Sequence, residues 1–409
     1  MQRDLQVNAT RLSLRLINLA EKGAIPGGGV SRQALTGADK LGRDLVVQWM
    51  RDLGLSVSID AIGNVIATRQ GMEGGPPVMA GSHIDTVGTG GPYDGCLGVL
   101  AGLEVVATLN DAGIVTRRPL AVAFFTNEEG CRFQPDMFGS LVYTGGLPLD
   151  RALATPTGAG STVAEDLSRI GYAGAAAVNQ PWVHAYVELH IEQGPVLEAE
   201  GFRIGAVEGV QGISWTEFTV TGQSNHAGTT PMHMRHDAAY VAAEIAVFAR
   251  RLALDIGGSQ VATVGAVTLS PNLPNVVAEI AVMTADLRNT DDDRLREAEQ
   301  RLLAFAAETA AAEGVKLAHR SLARFRPVAF APHLVARVEA IARDNGLSVK
   351  RLPSGAGHDA QMLAAVCPAC MIFVPSVNGI SHNVHEYTAP DDIAAGANVL
   401  LQLMLELAA

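Results

Sequence analysis

The sequence predicts an α/β protein: a mixed, largely parallel sheet flanked by helices, with a smaller α/β sandwich inserted into the larger domain. Three observations predict it. Apolar runs that end in polar clusters alternate with helical patterns through the first half, as buried parallel strands and their crossover helices do. Near Gly212 the texture changes to strands that alternate with period two, and near residue 328 the first pattern resumes. The chain has 409 residues, beyond the size at which one core usually divides. The expected units are therefore 1–211 with 328–409, and 212–327.

Each element has its own warrant. PPVMAGSHID reads as a strand running into a loop, and LGVLAGLEVVATLNDAG as a helix stopped by Gly113. RPLAVAFFTNEEG is a strand ending at two glutamates, and WVHAYVELHIEQG is another ending in polar residues. In a parallel sheet, ligands bind beyond the carboxyl ends of the strands, where these polar residues gather. In the insert, ISWTEFTVTG alternates as a half-exposed antiparallel strand does. A helix (DAAYVAAEIAVFARRLALDIG), two strands (VATVGAVTLS, VVAEIAVMTADLRN) and a helix with an acidic first turn (DDDRLREAEQRLLAFAAETAAAEG) follow. That order, β-α-β-β-α with a possible last strand, suits a small sandwich. Helix, strand and helix then complete the first unit (HLVARVEAIARDNG, CMIFVPS, DDIAAGANVLLQLMLELAA).

Composition narrows the function. The net charge is −12 and no block of Lys and Arg stands out, which argues against nucleic-acid or anionic-membrane partners. An anionic small substrate needs only one or two local arginines and stays allowed. No run of eighteen apolar residues occurs, and the first residues form a charged amphipathic pattern rather than a signal segment. The expectation is a cytoplasmic protein. Cys367 and Cys370 have C-x-x-C spacing, but their apolar surroundings point to buried, inert thiols rather than a redox pair.

The segment GSHIDTVGTGGPYDGC (81–96) carries the first chemical question. A phosphate loop would want a Lys, yet no Lys or Arg lies between Arg69 and Arg117, and Asp85 and Asp94 would repel an anion. A metal suits it better. His83, Asp94, the Glu128–Glu129 pair, His190 and His385 all follow apolar runs, and mixed imidazole and carboxylate donors suit zinc, manganese or cobalt. Two cations held close together need a carboxylate between them. Glu128 and Glu129 point in different directions, so one can bind metal while the other takes a proton from the attacking water. Asp85, two residues after His83, can accept the second N–H of that imidazole. Singly, each position is more often an ordinary polar residue; together they recur at the ends of apolar strands.

Seven motifs occur in order: GSHIDTV, PYDG, TNEEG, HIEQGPVLE, NHAGTTPM, SGAGHDA and SHNVHE. On these the chain resembles the amidase, hydantoinase/carbamoylase family within the M20 peptidase group, over nearly its whole length. The resemblance implies a zinc-peptidase-like catalytic domain with an inserted lid and dimerisation domain. It implies two divalent ions (zinc, manganese, cobalt or nickel), one held by His83 and His190, the other by Glu129 and His385, with Asp94 bridging. Glu128 would be the general base and Asp85 the orienter of His83. Arg288 would clamp a substrate carboxylate, Gln193 and Asn275 would contact substrate amides, and Gly357 would offer a backbone N–H. His226 would reach the active site of the partner subunit in a homodimer and steady an oxyanion, with ISWTEFTVTG as an exposed edge fit for pairing across the two-fold axis. The implied substrate is a small ureido carboxylate, and the implied reaction is hydrolysis of an N-carbamoyl-L-amino acid. Allantoate and N-carbamoyl-β-alanine are the alternatives, and a dipeptide or N-acyl amino acid is the reading from the wider group.

Overall fold

The computed structural model describes residues 5–180 and 182–409. It divides into two compact units, residues 1–209 with 329–409, and residues 210–328. In chain order the strands among the described residues are β1 (Ser56–Ile59), β2 (Val65–Arg69), β3 (Val78–His83), β4 (Leu120–Phe125), β5 (Ala185–Ile191), β6 (Ile204–Val210), β7 (Gly212–Thr221), β8 (Val261–Ser270), β9 (Ile280–Asn289), β10 (Lys316–Phe325), β11 (Val328–Ala329), β12 (Val349–Ser354) and β13 (Ala369–Val374).

The first unit is built on a mixed sheet in the order β1-β2-β4-β3-β5-β13-β6-β11, with β12 also pairing β6. Its middle is parallel: β4, β3, β5 and β13 run the same way. All four are buried along their whole length, which is why their sequences read as unbroken apolar runs. The helix Cys96–Asp111 packs on β3 and against the helix Pro390–Leu407, which also lies on β13. Burial of Cys96–Asp111 is nearly complete, so its sequence lacks a polar face. Gly113 follows it with φ +64°, the stop expected of a glycine.

The second unit has a four-stranded antiparallel sheet in the order β10-β7-β9-β8. Its core joins Phe218, Met283 and Leu287 of the sheet to Ile245, Leu252, Leu295 and Leu302 of the helices Ala238–Ile256 and Asp292–Glu313. Phe248 and Phe305 stack between those helices with centroids 3.9 Å apart. The chain therefore has the expected larger mixed sheet and a second, smaller α/β sandwich. One expectation is overturned. β7 (ISWTEFTVTG) is not an edge, because β10 pairs it from Lys316↔Thr221 to Phe325↔Ile213 and β9 pairs its other side. The edges are β8 and β10. Among the described residues no helix is long and apolar enough to cross a membrane.

Candidate metal centre

The four parallel strands deliver their polar ends to one place. His83 closes β3, Glu128 and Glu129 follow β4, His190 lies one residue from the end of β5, and His382 is on the loop after β13. Asp94 comes in from the loop before the helix Cys96–Asp111. These residues, with Asp136, Met137, Gln193, Ala356, Gly357 and His358, line a cleft of about 130 Å3.

Two sets of donors share Asp94. Oδ1 lies 3.2 Å from His190 Nε2 and 3.9 Å from His83 Nε2. Oδ2 lies 3.2 Å from His382 Nε2, which is 3.3 Å from Glu129 Oε2. Each set of three converges tightly enough to hold one cation. The buried imidazoles are aimed by their other nitrogen. His83 Nδ1 donates to the Asp85 carbonyl at 2.9 Å and His190 Nδ1 to the Ile191 carbonyl at 2.8 Å. Both Nε2 atoms are thereby turned to the cleft.

The loop that brings Asp94 in is a γ-turn. Cys96 N–H donates to the Asp94 carbonyl at 2.6 Å, across Gly95 at φ +64° and ψ −47°. A side chain at 95 would strike the His83 ring, since a Cβ there would lie 2.3 Å from Nε2. Glycine is needed both for that backbone and for the closeness of the imidazole.

Asp85 works differently from the sequence expectation. Its carboxylate is 4.0 Å from His83 Nδ1, too far for a hydrogen bond, and its backbone oxygen orients the ring instead. The carboxylate accepts the N–H groups of Glu128 at 3.2 Å and Glu129 at 3.3 Å. It thus sets the turn that sends the two glutamates apart: Glu128 Oε2 approaches His83 Nε2 to 3.4 Å while Glu129 faces His382.

The second correction concerns His385. The chain makes a turn in which Glu386 N–H donates to the Asn383 carbonyl at 3.0 Å, and His385 stands exposed at its third position. His382, at φ +52°, is the imidazole turned towards Asp94 and Glu129. The motif SHNVHE holds two histidines three apart, and only the turn decides between them.

Several further residues escaped sequence reasoning. Glu188 is buried, accepts Ser82 Oγ at 2.6 Å and Ala360 N–H at 2.8 Å, and converges with His190 and His358. Its signal was available: it lies two residues before His190 on β5 and so shares its face. His358 was present in SGAGHDA, and its ring lies 4.5 Å from that of His190, edge to face.

The electrostatics ask for cations. Asp85, Asp94, Glu128, Glu188, Asp359 and Glu386 are all buried around the cleft, and among the described residues no Lys or Arg lines it. Burial first, then the charges of Asp359, Glu129, Asp85 and Asp94, hold the Glu128 carboxyl well above the usual range. Glu129 is raised by burial, Asp94 and Asp85. For Asp94 burial pulls upward, but hydrogen bonds from His190 and His382 outweigh it and keep it well below. Burial lowers His83 to about 4, whereas His190 reaches about 9 because Asp94 outweighs burial. A dication among these groups would relieve the carboxylate repulsion that raises Glu128 and Glu129. The donor set therefore fits metal, and the buried Gln193 Oε1, which has no hydrogen-bond partner within the protein, suits a polar ligand.

Of the expected substrate contacts, two lie in this cleft. Gln193, at φ +56°, donates from Nε2 to Asp94 Oδ2 at 2.9 Å. At Gly357 a Cβ would meet Met137 Cε at 2.8 Å, so the flexible thioether would have to give way to any larger residue there. The other two, Asn275 and Arg288, lie in the second unit, as does His226, expected to steady the oxyanion. His226 and Asn275 are neighbours, with Ala227 N–H donating to the Asn275 carbonyl at 2.9 Å. His226 Nδ1 accepts Gly228 N–H at 3.0 Å, so the neutral ring carries its proton on Nε2. Arg288, on β9, forms an ion pair with Asp286 at 2.9 Å.

Residues 79–406 match the model of peptidase family M20/M25/M40. The N-carbamoyl-L-amino-acid amidohydrolase of Rhizobium meliloti is 43% identical over 404 residues, 98% of this chain and 97% of that protein. A crystal structure of an amidase of the hydantoinase/carbamoylase family from Burkholderia multivorans superposes with a TM-score of 0.96 at 45% identity, covering 99% of this chain and 98% of that one. The ureidoglycolate hydrolase of Arabidopsis thaliana is 33% identical over 408 residues, 97% of this chain and 86% of that protein.

Proposed function

The chain belongs to peptidase family M20/M25/M40, among the hydantoinase/carbamoylase amidases, and on that premise we propose that it hydrolyses the carbamoyl amide of N-carbamoyl-L-amino acids. It is a hydrolase of carbon–nitrogen bonds outside peptides. The observation that carries the finer reading is the pair of donor sets sharing Asp94 beside a glutamate that neither set uses.

In this proposal His83, His190 and Asp94 hold one divalent ion, and Asp94, Glu129 and His382 hold a second. Zinc, manganese, cobalt and nickel all suit such donors. The ions, when bound, polarise the carbamoyl carbonyl and acidify the attacking water. Glu128 takes the proton as the water oxygen joins the carbamoyl carbon. It returns that proton to the amino nitrogen as the C–N bond breaks, leaving the amino acid and carbamate, which decomposes to ammonia and carbon dioxide. Arg288 pairs with the substrate carboxylate in place of Asp286, a two-pronged match for a guanidinium. Gln193, Asn275 and the backbone N–H of Gly357 orient the ureido group. His226, offering Nε2–H from the partner of a homodimer, steadies the oxyanion.

The direct test is Glu128→Gln in protein of measured metal content. Metal should be retained while kcat falls at least about 100-fold, and a variant with near-normal kcat would overturn the base. Steady-state kcat/KM on N-carbamoyl-L-amino acids, N-carbamoyl-β-alanine, allantoate and ureidoglycolate decides the substrate. Ureidoglycolate or allantoate is the second reading, favoured by the Arabidopsis relative.

A further inference from the structure

We propose that Glu386 is a positioning residue that fixes the loop carrying Asp94 against the loop carrying His382, which rests on the reading of those two side chains as ligands of one ion. The reaction above does not use Glu386, although it closes the SHNVHE motif. It is a buried carboxylate, 4% exposed. Oε1 accepts the N–H of Tyr93 at 2.9 Å and that of Asp94 at 3.1 Å. Oε2 lies 3.1 Å from Ser381 Oγ, and the same hydroxyl lies 3.1 Å from Asp94 Oδ2.

Glu386 thus holds residue 94 directly by its backbone, and the single proton of the Ser381 hydroxyl is shared between the Glu386 and Asp94 carboxylates. The glycine before the loop completes the fit. A Cβ at Gly91 would lie 2.3 Å from Glu386 Cβ and 2.4 Å from its Oε1, so the loop lies flat on this side chain. His83 and His190 sit on β3 and β5 and owe their places to the sheet. Asp94 and His382 sit on loops, and this tie joins those loops across 292 residues of chain. Cutting it should therefore loosen the set made with Glu129 and His382 more than the set made with His83 and His190.

The experiment titrates chelator-stripped wild type, Glu386→Ala and Glu386→Gln with cobalt(II), read by calorimetry and by visible absorption, with thermal midpoints of the metal-free proteins as a check on folding. The expected result is two ions in the wild type. Because Asp94 serves both sets, Glu386→Ala should weaken the ion held with His83 and His190 by no more than about threefold and the ion held with Glu129 and His382 by about 10- to 100-fold. The amide of Glu386→Gln accepts the same two N–H groups and donates to Ser381, so both ions should stay within about threefold of wild type. Glu386→Ala with both ions undisturbed, or with both weakened equally, overturns the proposal. So does Glu386→Gln as weak as Glu386→Ala, because charge rather than the tie would then matter. A wild type that takes up no cobalt removes the metal reading itself and this proposal with it. If Glu386→Ala does not fold, Ser381→Ala removes the hydroxyl between Glu386 Oε2 and Asp94 Oδ2 and leaves the two N–H bonds to Oε1 in place. It should weaken the same ion selectively, and wild-type affinity for both ions would overturn the proposal.

Discussion

Replacing Gly95 by alanine should dislodge His83 although no proposed ligand is itself substituted. The new Cβ would stand 2.3 Å from His83 Nε2 and 2.4 Å from Cδ2 and Cε1, where ordinary contact begins at 3.4 Å, so the ring must retreat by about 1 Å. Tolerance for a working site is about 0.5 Å. The backbone adds its own strain, since alanine at φ +64° and ψ −47° costs about 1–3 kcal/mol. If affinity for the first ion falls about 100-fold, metal at 1,000 times the wild-type Kd stabilises the wild type by about 4.1 kcal/mol but the variant by only about 1.4 kcal/mol. Thermal unfolding of stripped and metal-loaded protein reads this difference directly. The stripped variant should lose only the strain, and the loaded one should lose about 2.7 kcal/mol more. A Gly95→Ala protein that gains as much from metal as the wild type, and turns over normally, would refute the reasoning about this turn.

Two further outcomes follow from the same geometry. His382→Ala should lower bound metal and activity sharply while His385→Ala leaves both within about twofold of wild type; the reverse result would restore the other histidine of the motif. The protonation pattern predicts how metal uptake depends on pH. Ligands must lose protons to bind metal: at pH 7 the metal-free site keeps one on His190, raised to about 9, and burial and Asp94 raise Glu129 in the same sense. Metal affinity should therefore rise with pH from 6 towards about 9, where His190 has lost its proton. Calorimetry at pH 7 in buffers of different ionisation enthalpy should show at least one proton released per subunit. No release would mean the donors are already bare.

Sequence made the centre of the fold legible because its strands are buried on both faces. VMAGSH, LAVAFF, AYVELHI and ACMIFV carry no alternation to confuse with a helix, and each stops at a polar cluster. Five of the cleft residues stand out there for the same reason, His83, Asp94, Glu128, Glu129 and His190, whereas Gln193 and Gly357 are singled out only by the family resemblance. What stayed hidden depended on backbone geometry. The turn over 383–386 leaves His385 exposed, whereas His382, just before it at φ +52°, faces Asp94 and Glu129, and nothing in SHNVHE distinguishes them. The service of Asp85 through its carbonyl to His83, and through its carboxylate to the glutamate turn, is equally invisible in a side-chain pattern. β7 looked like an edge because its outward residues are polar, but its second neighbour, β10, lies about a hundred residues downstream.

The place of β13 also sets a timetable for the nascent chain. β5 and β6 are consecutive in synthesis, yet in the sheet they are separated by β13, which is made only after the whole inserted unit. Until residues 369–374 leave the ribosome, the facing edges of β5 and β6 have no partner for their backbone groups. The inserted unit has its own core and can close meanwhile. The last strand then enters a slot already lined by His190, and the loop behind it delivers His382 as the final proposed ligand. A ribosome stalled before this strand would display a folded insert beside an unfinished sheet, and the site would form in one late step rather than residue by residue.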